Sequence, residues 1–366
     1  MKYIARYIPH LTWMTIVIVL LEGSPLRVTA QANNACPSYP PVMYLNLAPI
    51  YRDARNSIPD TAAERQNSEQ SAVVTNFMSY IENALDAPIG KGDSVAVVCA
   101  YKAFGSWAAA AALTEQPKHY NLQGTVKRDQ VLIGLDLLAL KFRALGYLIN
   151  STMVNWLRTL NDQSIDFYQH GSNRGNLYVW SGAAAALFAL IERDSKSLQY
   201  QDQVWWNAIS KIRDDGTIDG EMARGQRALI YHMYSFSATL VLRAAREALG
   251  YPQSPTSEAR VKLLADKIGK TLCDPGIMGI TAKATQEIPG DWGYRILVGF
   301  GRDLLSEDWD RCGKLHGSLS DSGFGGDARH SAAILKQLLP KVGGLSLYYQ
   351  KGCNAILPVW VNAPQR

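Results

Sequence analysis

Arg224, Arg227, Tyr231 and Tyr234 stand at relative positions 0, 3, 7 and 10 within the stretch from Asp214 to Phe236. At about 100° per residue, a helix through them gathers two guanidinium groups and two phenols on one face roughly 80° wide. A phenol beside fixed cations is a candidate acid/base, because the cations favour its ionised form. Ala228, Leu229, Ile230, Met233 and Phe236 take most of the remaining surface. A helix that is apolar elsewhere is buried, so its polar stripe faces a cavity or a partner. A solvated stripe, with arginine stems snorkelling beside amphipathic tyrosines, fits the same spacing equally well. Asp214, Asp215 and Gly216 are breakers that open the stretch as a turn.

A second cluster lies in His170-Gly-Ser-Asn-Arg-Gly-Asn-Leu-Tyr-Val-Trp180, which runs into the small residues Ala183 to Ala186. Asn173, Arg174, Asn176 and Tyr178 concentrate hydrogen-bonding groups beside a helix built for close packing. Read alone, Asn176 is a helix N-cap. His170 is either an idle loop histidine or a group folded back toward Asn176. Upstream, Tyr51-Arg-Asp-Ala-Arg55 and the polar residues to Ser68, with Pro59 as a breaker, read as a long loop and a lid. Asp321 to Asp327 is glycine-rich without the phosphate-loop pattern, and Asp327 is placed to cap a helix from Ala328. Gly290 to Arg295 reads as a sugar-stacking loop or, for Trp292, as packing. His119, His316 and His330 are isolated. Neither a GxSxG elbow, an HExxH helix nor a dinucleotide fingerprint occurs.

The elements that must position these groups are helices. Apolar spacing of helical period covers 71–86, 96–113, 130–148, 153–166, 177–193, 203–211, 226–249 and 258–272. No period-two run is long enough for a strand. The chain reads as all-α, and consecutive amphipathic helices of similar length suggest helical hairpins wound into a toroid.

At 366 residues, 47% hydrophobic and 19% charged, the chain is globular rather than disordered. Its net charge of +5, without a basic run, gives no ground for a nucleic-acid partner. Lys2 and Arg6 precede an apolar stretch from Leu11 to Leu21, and Ala30-Gln31-Ala32 is a small-x-small site. Residues 1–32 therefore read as a signal peptide ahead of a periplasmic or secreted chain, with no membrane association after cleavage. Export makes Cys36, Cys99, Cys273, Cys312 and Cys353 candidates for disulfides, with pairing open on spacing alone.

Asp215-Gly216-Thr217, Glu221, Arg224-Gly225-x-Arg227-Ala228-Leu229 and Tyr231-His232-x-Tyr234 resemble the catalytic helix of the alginate lyase family, polysaccharide lyase family 5 and its relatives. Cys36-Pro37 followed by Cys99 resembles the family's first disulfide, Tyr51-x-Asp53 the start of its lid loop, and residues 320–327 its C-terminal Gly-Gly-Asp segment. The resemblance implies an (α/α) toroid, one domain over 33–366, with an acidic polysaccharide substrate in a deep cleft; a monomer is expected. It implies β-elimination: a base removes the C5 proton of a uronate, the C4 oxygen leaves protonated, and the carboxylate must be neutralised. Tyr231 takes the acid/base role, Arg224 lowers its pKa, and Asn176 binds the carboxylate. Arg227, Tyr234, Tyr178, Arg174, Arg55, Tyr51 and His170 are expected to contact substrate, and His232 to pack against or orient Tyr231. The chemistry needs no cofactor or metal.

One departure stands out. The family follows its asparagine with a histidine, and an ungapped match puts Leu177 there; a one-residue shift puts Asn176 there and leaves Tyr178 on the family tyrosine. A tyrosine acting as both base and acid fits syn elimination, as on β-1,4-linked mannuronate. The alternatives are a glucuronan-type lyase, a non-catalytic polyuronate-binding protein, and a toroid glycosidase. The last needs two carboxylates across the scissile bond, for which only Asp219 and Glu221 offer themselves.

Overall fold

The computed structural model describes residues 36–87, 94–115, 122–170, 175–288, 299–313, 320–321 and 324–338. The leader expected at 1–32 and the Gly290–Arg295 loop lie outside these residues, as do Arg174, His119, His316 and Cys353.

Helix α1 (Thr61–Asp86) begins where the Asp60 carboxylate accepts the Ala62 and Ala63 N–H groups. The loop expected to reach Ser68 therefore ends eight residues earlier, because a capped first turn needs no apolar face to announce it. Then come α2 (Ser94–Ala109), α3 (Leu122–Ala144), α4 (Ser151–His170), α5 (Asn176–Ile191), α6 (Ser195–Lys211), a short α7 (Asp219–Met222), α8 (Ala228–Leu249), α9 (Pro255–Cys273), α10 (Gly276–Ala282) and α11 (Glu307–Cys312). Two-residue strands β1 (Ser320–Asp321) and β2 (Gly326–Asp327) pair antiparallel before α12 (Ala328–Gln337).

Two helix types build an (α/α) toroid. α3, α5 and α8 are buried almost all round, whereas α4, α6 and α9 bury one stripe only. The first kind belongs inside and the second on the rim. α5 is the hub, packed on α3, α4, α6 and α8. Its small residues permit this, since a Cβ on Gly182 would stand 2.4 Å from Val204 Cγ1 of α6.

The C-terminal hairpin is tied back to α1 and α3. Gly325 N–H donates to Glu82 at 2.9 Å and Asp327 N–H to Asp86 at 2.6 Å. Lys141, fully buried, donates to Asp86 and to the Gly325 carbonyl, both at 2.5 Å, and His330 Nδ1 lies 2.7 Å from Asp86. Gly326 has φ +78°, and a Cβ there would meet Asp86 Oδ2 at 2.1 Å, so only glycine fits. Asp327 caps α12 through the Arg329 and His330 N–H groups, as its position predicts. A Cys273–Cys312 disulfide joins α9 to α11, and Cys36 and Cys99 are each disulfide-bonded. Among the described residues no helix is long and apolar enough to cross a membrane.

Candidate active site

A cavity of about 460 Å³ opens where α3, α5 and α8 begin. Its walls are Tyr51 and Asn56 from the preceding loop, Gln123, Val126 and Gln130 from α3, Asn176 and Leu177 from α5, Arg224, and Tyr231 and Tyr234 from α8. Three helix N-termini converge on this space, and their partial positive charge favours an anionic ligand.

The expected single helix through Arg224 to Tyr234 is broken. α7 ends at Met222, Gly225 takes φ +57°, a 3-10 turn spans Gly225–Arg227, and α8 starts only at Ala228. Tyr231 and Tyr234 share a helix, and Arg224 and Arg227 precede it. Arg224 still arrives, its guanidinium carbon 4.6 Å from the Tyr231 ring centroid. It also donates to the Arg55 carbonyl at 3.0 Å. Arg227 instead sits over the Tyr51 ring at 5.2 Å, between Glu64 at 3.9 Å and Glu287 at 3.5 Å.

Tyr231 donates its hydroxyl hydrogen to the Tyr51 hydroxyl at 2.6 Å. Burial pushes its phenol above the usual range, and Tyr51 pushes further, while Arg224 and Arg227 pull the other way without prevailing. The expected lowering by the arginines is thus present but outweighed, and Tyr231 is a protonated phenol at neutral pH.

Asn176 is the first residue of α5, and Gly175 is the N-cap, so the capping reading of Asn176 is replaced by another. Its backbone N–H and its side-chain amide both donate to Glu221 Oε1 at 3.1 Å. Glu221 is 1% exposed, and its Oε2 lies 3.6 Å from Arg224 Nε. One buried carboxylate therefore holds both Asn176 and Arg224. Sequence reasoning gave Glu221 no part in the lyase site; the available signal was its place three residues before Arg224.

Other expected residues separate. Tyr178 is buried and packs edge-on against Tyr200 at 5.6 Å. Two residues beyond Asn176 on a helix, it turns about 200° away from the cleft. His170 ends α4 with Nδ1 3.0 Å from the Asp166 carbonyl and does not line the cavity. Arg55 offers its carbonyl while its side chain is exposed. Leu177 does line the cavity, and among the described residues no histidine does. His232 is buried, with Nδ1–H on the Ala228 carbonyl at 2.7 Å and Nε2 accepting from Ile218 N–H at 2.8 Å. Burial lowers its pKa to about 4, so it is neutral and pins the 212–218 turn rather than touching Tyr231. Asp219 pairs with Arg213 and, with Glu221, lines a second cavity of about 400 Å³; the two carboxylates do not face each other across the cleft. Among the described residues no cluster of three or more His, Cys, Asp and Glu is placed to hold a metal.

The alginate lyase family model matches residues 91–266, a stretch that holds Asn176, Arg224 and Tyr231. The chain is 25% identical over 268 residues to a polysaccharide lyase of Stenotrophomonas maltophilia, spanning 72% of this chain and 80% of that one. An alginate lyase of Pseudomonas syringae pv. syringae is 24% identical over 49% of each chain. The crystal structure of alginate lyase A1-III from Sphingomonas species A1 superposes with a TM-score of 0.63 at 17% identity, over 83% of this chain and 86% of that one.

Proposed function

We propose that the chain is an exported lyase that cleaves a β-1,4-linked polyuronate, mannuronate-rich alginate foremost, by β-elimination. The observation that carries this reading is the Tyr231 hydroxyl in a cleft of the lyase fold, with the Arg224 guanidinium on its ring at 4.6 Å. Asn176 shares the same cavity. The polysaccharide and alginate lyases it resembles support the substrate class. The convergent helix N-termini suit an anionic chain.

Activation begins with loss of the Tyr231 proton, and the Tyr51 hydroxyl that accepts its hydrogen bond is the route out. The phenolate takes the C5 proton as charge spreads into the uronate carboxylate, held by Asn176 and Arg224. The C4–O4 bond then breaks, and the same proton passes from Tyr231 to O4. A 4,5-unsaturated uronate and a new chain end leave, and Tyr231 is again a phenolate. One group serving one face of the sugar suits β-mannuronate. A glucuronan-type substrate is the second reading, because β-glucuronate shares the C4 and C5 configuration of β-mannuronate and differs from it at C2; Leu177 stands on the cleft wall where the family resemblance places a histidine.

Ultraviolet absorbance of the unsaturated product, after incubation with polymannuronate, polyguluronate and glucuronan, tests the reaction and ranks the substrates. A rise on polymannuronate is expected. Tyr231→Phe should lower kcat by about 10³-fold or more while leaving the melting curve unchanged, since acid/base groups contribute about 10²–10⁴. No rise on any of the three polymers would discard the lyase reading in favour of a non-catalytic polyuronate binder.

A further inference from the structure

From Arg128 through Phe142, α3 is buried at every residue but one. The exception is Gln130, and it opens into the cleft. An amide set within a buried run is costly unless something bonds it, yet no hydrogen bond links the Gln130 side chain to a described residue. Gln123, on the same face of α3, lies beside exposed Leu122 at the start of the helix, where water reaches it. Gln130 lies two turns deeper.

The other donors in the cleft are partly spoken for. One Asn176 amide hydrogen is held by Glu221, and Arg224 is shared between the Arg55 carbonyl, Glu221 and the Tyr231 ring. The Leu177 side chain, next to Asn176, has no donor to offer. A carboxylate presents about four acceptor sites, more than Asn176 and Arg224 fill from one wall.

On the reading that the cleft takes a polyuronate, we propose that Gln130 donates to the carboxylate of the bound uronate from the α3 wall of the cavity that Asn176 also lines. The two amides then grip the carboxylate without a titrating group, and Gln130 is a determinant of uronate over neutral sugar.

The test is calorimetric binding of a β-1,4-mannuronate tetramer and of β-1,4-mannotetraose, which differ only in carboxylate against hydroxymethyl, in the Tyr231→Phe background. Gln130→Ala should weaken tetramannuronate binding roughly ten- to hundred-fold, the range for a hydrogen bond to a charged group. Gln130→Glu, nearly the same shape, should weaken it at least as much by repulsion. Mannotetraose should shift by less than about two-fold in either variant. Unchanged tetramannuronate affinity, or equal losses for both oligomers, would overturn the assignment. Gln130-dependent binding in a wild-type protein that yields no unsaturated product would sink the lyase reading and leave Gln130 standing. Absence of binding to the uronate oligomer would remove both.

Discussion

Glu221 Oε1 accepts both the backbone N–H and the side-chain amide of Asn176, each at 3.1 Å. The backbone bond satisfies one of the donors left open at the start of α5. The side-chain bond fixes which way the amide points, and so which hydrogen faces the cleft. Glu221→Ala strands both donors and removes the counter-charge beside Arg224. It should lower the unfolding free energy by about 2–4 kcal/mol and kcat/KM by about 10²-fold. Glu221→Gln keeps an acceptor oxygen, so it should recover most of the stability but less of the activity. Denaturant melts beside product absorbance check both, and equal recovery of the two would reduce Glu221 to a structural cap.

The Tyr51 hydroxyl makes Tyr231 a weaker acid, second only to burial. In the proposed reaction the ionised phenol is the active form, so kcat/KM should rise with pH through the Tyr231 titration. Tyr51→Phe removes one upward influence and leaves Arg224 and Arg227 pulling down. The rising limb of the pH profile should therefore move to lower pH. A profile that stays in place with a lower plateau would instead give Tyr51 only the task of receiving the proton.

Gly225 is where the Arg224–Tyr234 segment departs from a continuous helix. Its φ of +57° favours glycine, while a Cβ would find nothing nearer than Ala284 Cβ at 4.0 Å. The penalty of Gly225→Ala is therefore backbone strain alone, about 1–2 kcal/mol. Asn tolerates this conformation better than Ala. Gly225→Asn should accordingly melt above Gly225→Ala and keep more activity. If both variants retain full activity, Arg224 does not depend on the break.

The helices were legible because long apolar periods survive any reading, and α5 and α8 were found to within two residues at their starts. The break at Gly225 was not, because Arg224, Arg227, Tyr231 and Tyr234 keep helical spacing through it. Spacing records which residues share a side and not whether the backbone between them is regular. Tyr178 was misplaced for a related reason: a motif match carries a residue type forward, while helical rotation turns this one onto Tyr200. Gln130 was invisible in sequence, since a glutamine among apolar residues looks the same on a solvated rim as in a cleft.

Asp86 joins the two ends of the toroid. Burial raises its carboxyl, but His330, Lys141 and the Asp327 N–H outweigh that and hold it below the ordinary range. A depressed carboxyl stabilises above the unfolded-state value of about 3.9 and loses that contribution as pH falls through the folded-state value. Asp86→Ala leaves Lys141 a buried cation facing the Gly325 carbonyl without its main partner. The expected loss is about 3–5 kcal/mol at pH 7, read by urea unfolding. The gap between wild type and variant should narrow as pH falls below the unfolded-state value and close once Asp86 is protonated in both states of the wild type. Phe324 packs on Trp180 at 5.4 Å, and Trp180 on Tyr234 at 5.8 Å. Loosening the hairpin should therefore also lower activity at pH 7. Adding Lys141→Met to Asp86→Ala removes the stranded charge and should restore stability ahead of activity, because the hairpin that backs Tyr234 stays unanchored.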